Sequence, residues 1–215
     1  MPPVVSIVGK SKSGKTTFLE KLIGELKSRG YKVATVKHTH HDQTLGQPHK
    51  DSWRHIQAGS QATALSSPNG ILMIKPVAQE QTIDEIAHLL GEDYDIIITE
   101  GFSRGNAPKI EVHRKEVGPL LRSAKKRIAV ATDEPLEIKT RQFSLEDVKG
   151  VADLLEEGFI KPQRERLSLY VNNTFIPLTV FPRQIIANVL LAMASTLKGV
   201  TEVTSLEIFF RREPR

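Results

Sequence analysis

Short apolar runs alternate along the chain with longer stretches in which apolar positions recur every three or four residues. Residues 4–8, VVSIV, are β-branched and end at Gly9, the pattern of a buried parallel strand. From Lys15 to Arg29, the residues Phe18, Leu19, Leu22, Ile23 and Leu26 share one helical stripe, and Gly30 stops it. KVATVKH at 32–38 predicts the next strand and completes a βαβ unit. DSWRHIQAG, from 51, reads as a helix with Asp51 as N-cap. ATALSS and GILMIK read as two strands. TIDEIAHLLG, 82–91, reads as a helix whose Thr82 and Glu85 form a capping box.

YDIIITEG at 94–101 is the clearest strand, with Asp95 opening it, and KIEVHR and RIAVAT are two more. A helix over 144–159 opened by Ser144 closes this region. Such alternation predicts an α/β fold with a mostly parallel sheet and helices on both faces. The pattern then changes. Residues 161–166, KPQRER, read as a linker. Beyond them come two short strands around Asn172 and Asn173, a helix over 183–199 ended by Gly199, and a last strand in TSLEIFFR. The expected organisation is a nucleotide-binding domain over 1–160 and a small α+β unit, ββαβ, over 165–215.

Composition adds boundaries to this picture. The 215 residues are 39% hydrophobic and 26% charged, ordinary for a chain that folds around a core. A net charge of +5 favours anionic partners, small phosphorylated molecules as well as nucleic acid. The absence of cysteine excludes disulfides, thiolate metal sites and cysteine nucleophiles. No signal-like start and no membrane-length apolar run is present, so a cytoplasmic location and no membrane partner are expected. Aromatics are 6% and do not interleave with basic residues, so no nucleic-acid partner is expected.

The chemistry starts at residues 8–17, VGKSKSGKTT. Gly9, Gly14, Lys15 and Thr16 fit the phosphate-loop pattern between a predicted strand and a predicted helix. Glycines let amides converge on phosphate oxygens, and the lysine reaches the β and γ phosphates. Thr16 offers a hydroxyl to Mg²⁺. The candidate ligand-binding stretch comprises Gly9, Lys10, Ser11, Lys12, Ser13, Gly14, Lys15, Thr16 and Thr17. Such a site needs a carboxylate at the end of a neighbouring strand. Glu100 supplies one, followed by Gly101. Lys15 and Glu100 are the candidate catalytic residues; Thr16 and Glu100 are the candidate metal ligands. The alternative for Glu100 is a plain surface carboxylate.

Lys37 and His38 follow another strand end, in a region that holds His38, His40, His41, His49 and His55. Substrate or phosphate contact, a metal site and a solvated loop all remain open there. Asp133 in AVATDEP suits the N–H and amino group of a guanine edge, or the capping of the following turn. Lys109, Glu111, His113 and Arg114 alternate along one strand. Lys109 and Arg114 suggest an anion clamp, or else a solvated strand face.

Together these pieces resemble one family, the molybdopterin-guanine dinucleotide biosynthesis adapters (MobB). GKSKSGKTTFLEKLI, VATVKHTHHD, KDSWRHIQAGSQAT, IIITEGF and PKIEVHR carry the likeness, from residue 4 to about 160. The resemblance implies a P-loop NTPase-like fold with GTP and Mg²⁺ as ligands, weak hydrolysis at most and a homodimer. It also implies molybdopterin or its Mo form as a partner, together with the guanylyltransferase of the molybdenum cofactor. By position, Gly14, Lys15, Thr16 and Thr17 would hold phosphates, Glu100 and Gly101 would lie near the γ phosphate or Mg²⁺, and Lys37 and His38 would line the cleft. Residues 165–215 resemble an extension of longer members. Lys10 lies five residues before Lys15, the offset of the intersubunit lysine in dimeric P-loop ATPases, but the glycines of that pattern are absent. Lys12 adds positive potential. The competing expectation is a small-molecule kinase, which usually needs an arginine-rich lid; SAKKRIAV reads instead as a loop feeding a strand.

Overall fold

Along the first strand, β1 (Val4–Val8), alternate residues point to opposite faces of a sheet. Val5 and Ile7 join one continuous apolar cluster, while Ser6 and Val8 are buried on the other side. The computed structural model describes residues 1–39, 50–163, 166–172 and 174–210. Its contacts divide into two compact units, Pro2–Arg164 and Met1 with Glu165–Arg215.

In the larger unit, α1 (Lys15–Ser28) leads to β2 (Val33–Lys37). Next come α2 (Lys50–Gln57), a hairpin of β3 (Thr63–Ser67) and β4 (Gly70–Ile74), and α3 (Ile83–Leu90). The chain returns through β5 (Ile96–Glu100), β6 (Lys109–His113), β7 (Arg127–Thr132), β8 (Arg141–Ser144) and α4 (Val148–Leu155). Six strands make one sheet in the order β2-β5-β1-β6-β7-β8, and every neighbouring pair in it is parallel. β3 and β4 pair separately as an antiparallel ribbon.

The stripe on α1 explains one face. Phe18, Leu19, Leu22 and Leu26 pack with Val5, Ile7, Ile96, Ile98, Ile110 and Val112, and with Val148, Val151, Ala152 and Leu155 of α4. Full burial of each large aliphatic side chain is worth about 1.5–3 kcal/mol. Arg29 ties the rim of this layer, bonding Glu25, Asp153 and Glu156 at 2.7–2.9 Å. A right-handed crossover from β1 to β2 puts α1 on this face, so the oppositely directed return from β2 to β5 carries α3 over the other. The Thr82–Glu85 capping box opens α3 as predicted.

That second face is polar where β6 and β7 cross it, a departure from the sequence reading. Lys109, Glu111 and His113 are at most 4% exposed, so this is no solvated strand face. Irregular segments cover them and satisfy them. Lys109 Nζ donates to the Gly105 and Ala107 carbonyls at 2.5 and 2.9 Å. Glu111 accepts from Leu121 N–H and Arg127 Nε at 2.7 and 2.8 Å. The His113 ring meets Thr132 Oγ1 at 3.0 Å and the Gly118 carbonyl at 3.1 Å.

Three boundaries differ from expectation. Lys50 is already helical, so Asp51 lies in the first turn of α2 and is not its cap. Ser144 ends β8, and Asp147 caps α4 by accepting from Gly150 N–H at 3.0 Å. β8 has one buried residue, Phe143, among exposed neighbours, too little pattern to announce a strand.

In the smaller unit, β9 (Leu169–Val171) pairs antiparallel with β10 (Thr174–Ile176) across Asn172, whose φ is 51°. Tyr170 meets Phe175 edge-on at 5.5 Å. α5 spans Val180–Ser195, starting and stopping earlier than the predicted 183–199. The expected last strand is not formed: residues 201–210 carry no strand. An aromatic and β-branched run becomes a strand only against a partner edge, and the small sheet contains β9 and β10 alone.

Candidate nucleotide-phosphate site

The carboxyl ends of β1, β2, β5, β6 and β7 bring most of the predicted site residues together, where parallel sheets bind ligands. Gly9 has φ +150°, and a Cβ there would lie 2.3 Å from the Val112 carbonyl oxygen and 2.7 Å from Ser13 Oγ. No larger residue fits. Lys12 stands exposed at the crown with φ 66°. It occupies the left-handed backbone slot that glycine usually fills, a strained conformation of the kind that clusters at ligand loops. Ser11 is exposed beside it. Ser13 is buried, and its hydroxyl has no hydrogen-bond partner among the described residues. Gly14, with φ 88°, caps α1 without a side-chain bond, leaving the helix's first amides for an anion.

Lys15 Nζ donates to the Lys10 carbonyl at 2.7 Å. Burial pushes its ammonium down from the ordinary value; Glu100 opposes this and Lys37 adds to it. Thr16 Oγ1 donates to Glu100 Oε1 at 3.0 Å, and Lys37 Nζ lies 3.7 Å from Glu100 Oε2. Thr17 is exposed on the first turn of α1. A hydroxyl and a carboxylate side by side at a helix N-terminus, with two ammonium groups near, form a donor set suited to a phosphate-bound Mg²⁺. The orphan Ser13 hydroxyl and the cradle closed to a Cβ at Gly9 fit a phosphate in the loop. Among the described residues no cluster of three His, Asp or Glu side chains could hold a metal.

Gly101, at φ 104°, follows Glu100, and a Cβ on it would come within 3.0 Å of His38 Cβ. The His38 N–H donates to the Glu100 carbonyl at 3.0 Å. Its ring pairs with Glu80 through Nε2 and lies 4.6 Å from the Phe102 ring. Glu80 and Phe102 escaped the sequence reading; for Phe102, its place right after the Glu100–Gly101 pair was the available signal.

A family model described as molybdopterin guanine dinucleotide synthesis protein B matches residues 4–133. The chain belongs to the MobB family. An adapter protein of molybdopterin-guanine dinucleotide biosynthesis from Haemophilus influenzae is 36% identical over 72% of this chain and 88% of its own length. The Escherichia coli adapter is 32% identical over 75% and 95%. A putative adapter from Methanocaldococcus jannaschii is 24% identical and covers 95% of this chain, the smaller unit included. A crystal structure of molybdopterin-guanine biosynthesis protein B superposes with a TM-score of 0.57 at 29% identity, covering 73% of this chain and 99% of that one. The fold is thus the P-loop NTPase-like α/β fold expected from the sequence, with a nucleotide-binding loop.

Within this family fold, several expected residues have partners elsewhere in the chain. Lys10 Nζ donates to the Val117 carbonyl of its own chain at 3.1 Å. Asp133 Oδ1 accepts from Lys115 N–H at 2.9 Å. Thr132, not Asp133, holds the following turn, accepting from Glu134 N–H at 3.2 Å. Lys109 is occupied beneath its loop and cannot clamp an anion at the site. His55 lies on α2. His40, His41 and His49 lie outside the described residues, so the expectations placed on them stay there. A cleft lined by Tyr31, Lys32, Asp93 and Tyr94 opens at the amino ends of β2 and β5, the wrong end of a parallel sheet for this chemistry.

Proposed function

We propose that the chain is a GTP-binding adapter of molybdopterin-guanine dinucleotide synthesis, turning over GTP slowly at most. The observation that carries this is the Thr16–Glu100 pair near the half-buried Lys15 ammonium. Lys15 would exchange the Lys10 carbonyl for β and γ phosphate oxygens. Thr16 and Glu100 would hold Mg²⁺, which when bound neutralises charge on those phosphates. Lys37 and His38 would close the same edge. Glu100 already engages Thr16 and Lys37, which supports holding nucleotide over rapid activation of water. Asp133, at the end of β7, would read the guanine edge.

Molybdopterin or its Mo form and the guanylyltransferase are the proposed partners, in a cytoplasmic setting. Among the described residues no helix is long and apolar enough to cross a membrane. A homodimer belongs to the same proposal. The hairpin of β3 and β4 supports an association surface, with Ile71 75% and Met73 52% exposed.

Titration with labelled GTP and ATP, with and without Mg²⁺, tests the reading. We expect GTP-selective, Mg²⁺-dependent binding and very slow phosphate release. In Lys15→Ala binding should be lost; unchanged affinity there would contradict the loop assignment. Phosphoryl transfer to molybdopterin or another acceptor at roughly 1 per second or faster would replace the adapter with a kinase.

A further inference from the structure

The two strands beside β1 deliver different chemistry to the phosphate loop. On one side β5 brings Glu100 to Thr16, with Lys37 of β2 behind it. On the other side β6 ends at His113, and Arg114 follows it. A Cβ built on Gly14 would lie 3.4 Å from Arg114 Nε and 3.6 Å from one terminal guanidinium nitrogen. The guanidinium therefore lies against the residue that caps α1, where the helix dipole is positive and an anion is wanted. Like charge at that point is unfavourable until a phosphate arrives.

Among the described residues Arg114 makes only long-range charge contacts, with Asp133 and with the Glu146 carboxylate. Its ion pair with Asp133 Oδ2 is 3.8 Å long, beyond hydrogen-bond reach. No hydrogen bond to its guanidinium occurs among the described residues. Its backbone, by contrast, is fixed. His113 just before it is buried between Thr132 and Gly118. Lys115 N–H donates to Asp133, and the Val117 carbonyl accepts from Lys10 Nζ of the loop itself. A rigid turn thus presents a guanidinium, with its forked donors unspent, over the loop.

We infer that Arg114 is a further nucleotide-binding residue, which holds a non-terminal phosphate at the edge of the loop opposite Thr16 and Glu100. This rests on the phosphate-loop reading above. The edge follows from the sheet order. Thr16 and Glu100 would hold Mg²⁺ there, which when bound neutralises charge on the terminal phosphates, so the β5 side is the one suited to those phosphates. β1 stands between β5 and β6. The β6 side is left for the α phosphate and the nucleoside. There Arg114 trades its long pair with Asp133 for a short, forked phosphate contact, and Asp133 Oδ2 is freed toward the base while Oδ1 keeps Lys115 N–H. The turn at 114–118 also gives Lys10 its work: the lysine ties that turn to the loop within one chain.

Dissociation constants for GTP and GDP, measured by calorimetry on the full chain, test this. In Arg114→Ala both should weaken by about tenfold, with their ratio unchanged and the melting temperature close to wild type. Arg114→Lys should recover only part, since an ammonium cannot make the forked contact. Unchanged affinity for both nucleotides overturns the inference. Selective loss of GTP also overturns it, because that would put Arg114 at the terminal phosphate. Lys15→Ala separates the two levels: wild-type affinity there would remove the phosphate-loop reading itself, whatever Arg114 does.

Discussion

The two faces of the sheet are buried to the same depth, one by apolar packing and the other by hydrogen-bonded polar groups set beside Val8, Ile97 and Val130. Under α1 and α4 the contacts are aliphatic and aromatic throughout. On the opposite face Ser6, Thr99, Lys109, Glu111, His113 and Thr132 are all at most 7% exposed, and each has a hydrogen-bond partner. Apolar packing is non-directional and tolerates rearrangement. Hydrogen bonds to buried charges fix both distance and direction. The apolar face makes the chain fold. The polar face aims the segments after Glu100 and His113, and those segments carry Gly101 and Arg114 to the phosphate loop.

The sharpest way to break this contrast is one truncation on each face. Glu111→Ala strips the carboxylate from Arg127 and from Leu121 N–H. Breaking such a pair costs about 3–5 kcal/mol. Leu22→Ala opens a cavity under α1 and costs about 2–5 kcal/mol. Stability alone will not tell them apart. Nucleotide affinity of the folded fraction will: Leu22→Ala should keep it, and Glu111→Ala should lose it. Urea denaturation paired with GTP titration measures both. Equal affinities in the two variants would end the division of labour.

Lys109→Met is the next step down. Methionine replaces the apolar stem but leaves the Gly105 and Ala107 carbonyls without their donor. The expected loss is about 1–3 kcal/mol. It is smaller because the buried ammonium is itself unfavourable: burial pushes Lys109 down from its ordinary value, and Lys126 adds to this. Faster amide exchange confined to 102–108 would show that Lys109 pins that segment; uniform acceleration across the sheet would show a general packing role.

What could be read from the sequence divides along the same line. Every element of the apolar face except β8 was legible, because helical and strand periodicity are statements about burial. Thr16, Lys15 and Glu100 were legible because their pattern sits at strand ends. The polar face was not. Lys109, Glu111 and His113 alternate like any solvated strand, and nothing local reveals the loops that cover them. Arg114 entered as half of a clamp with Lys109, yet the two lie at opposite ends of β6: Lys109 is used up by the Gly105 and Ala107 carbonyls, and Arg114 lies against Gly14. Of the two readings left open for Asp133, the turn cap falls to Thr132, and its actual partner, Lys115 N–H, was out of sight because it is 18 residues away. TSLEIFFR has strand composition, yet residues 204–210 pair with no strand.

The smallest effect concerns a place where the apolar face relies on charge. Arg29 joins α1 to α4 by reaching Glu25, Asp153 and Glu156. Arg29 foremost, with help from Lys161, draws the Glu156 carboxyl from its ordinary 4.5 down to about 2. A depressed carboxylate stabilises the fold above its unfolded value and loses that contribution as pH falls through its folded value. Stability should therefore decline as the pH drops from about 4.5 toward 2. Glu85, drawn down by Thr82, and Glu146, drawn down by Lys21, decline in the same direction. Arg29→Ala leaves those two untouched, so the difference in slope between wild type and variant isolates the Arg29 share. The variant should show the shallower acid slope in urea midpoints taken across that window. Parallel slopes would mean that α1 and α4 are held by their apolar surfaces alone, and the contrast between the faces would become complete.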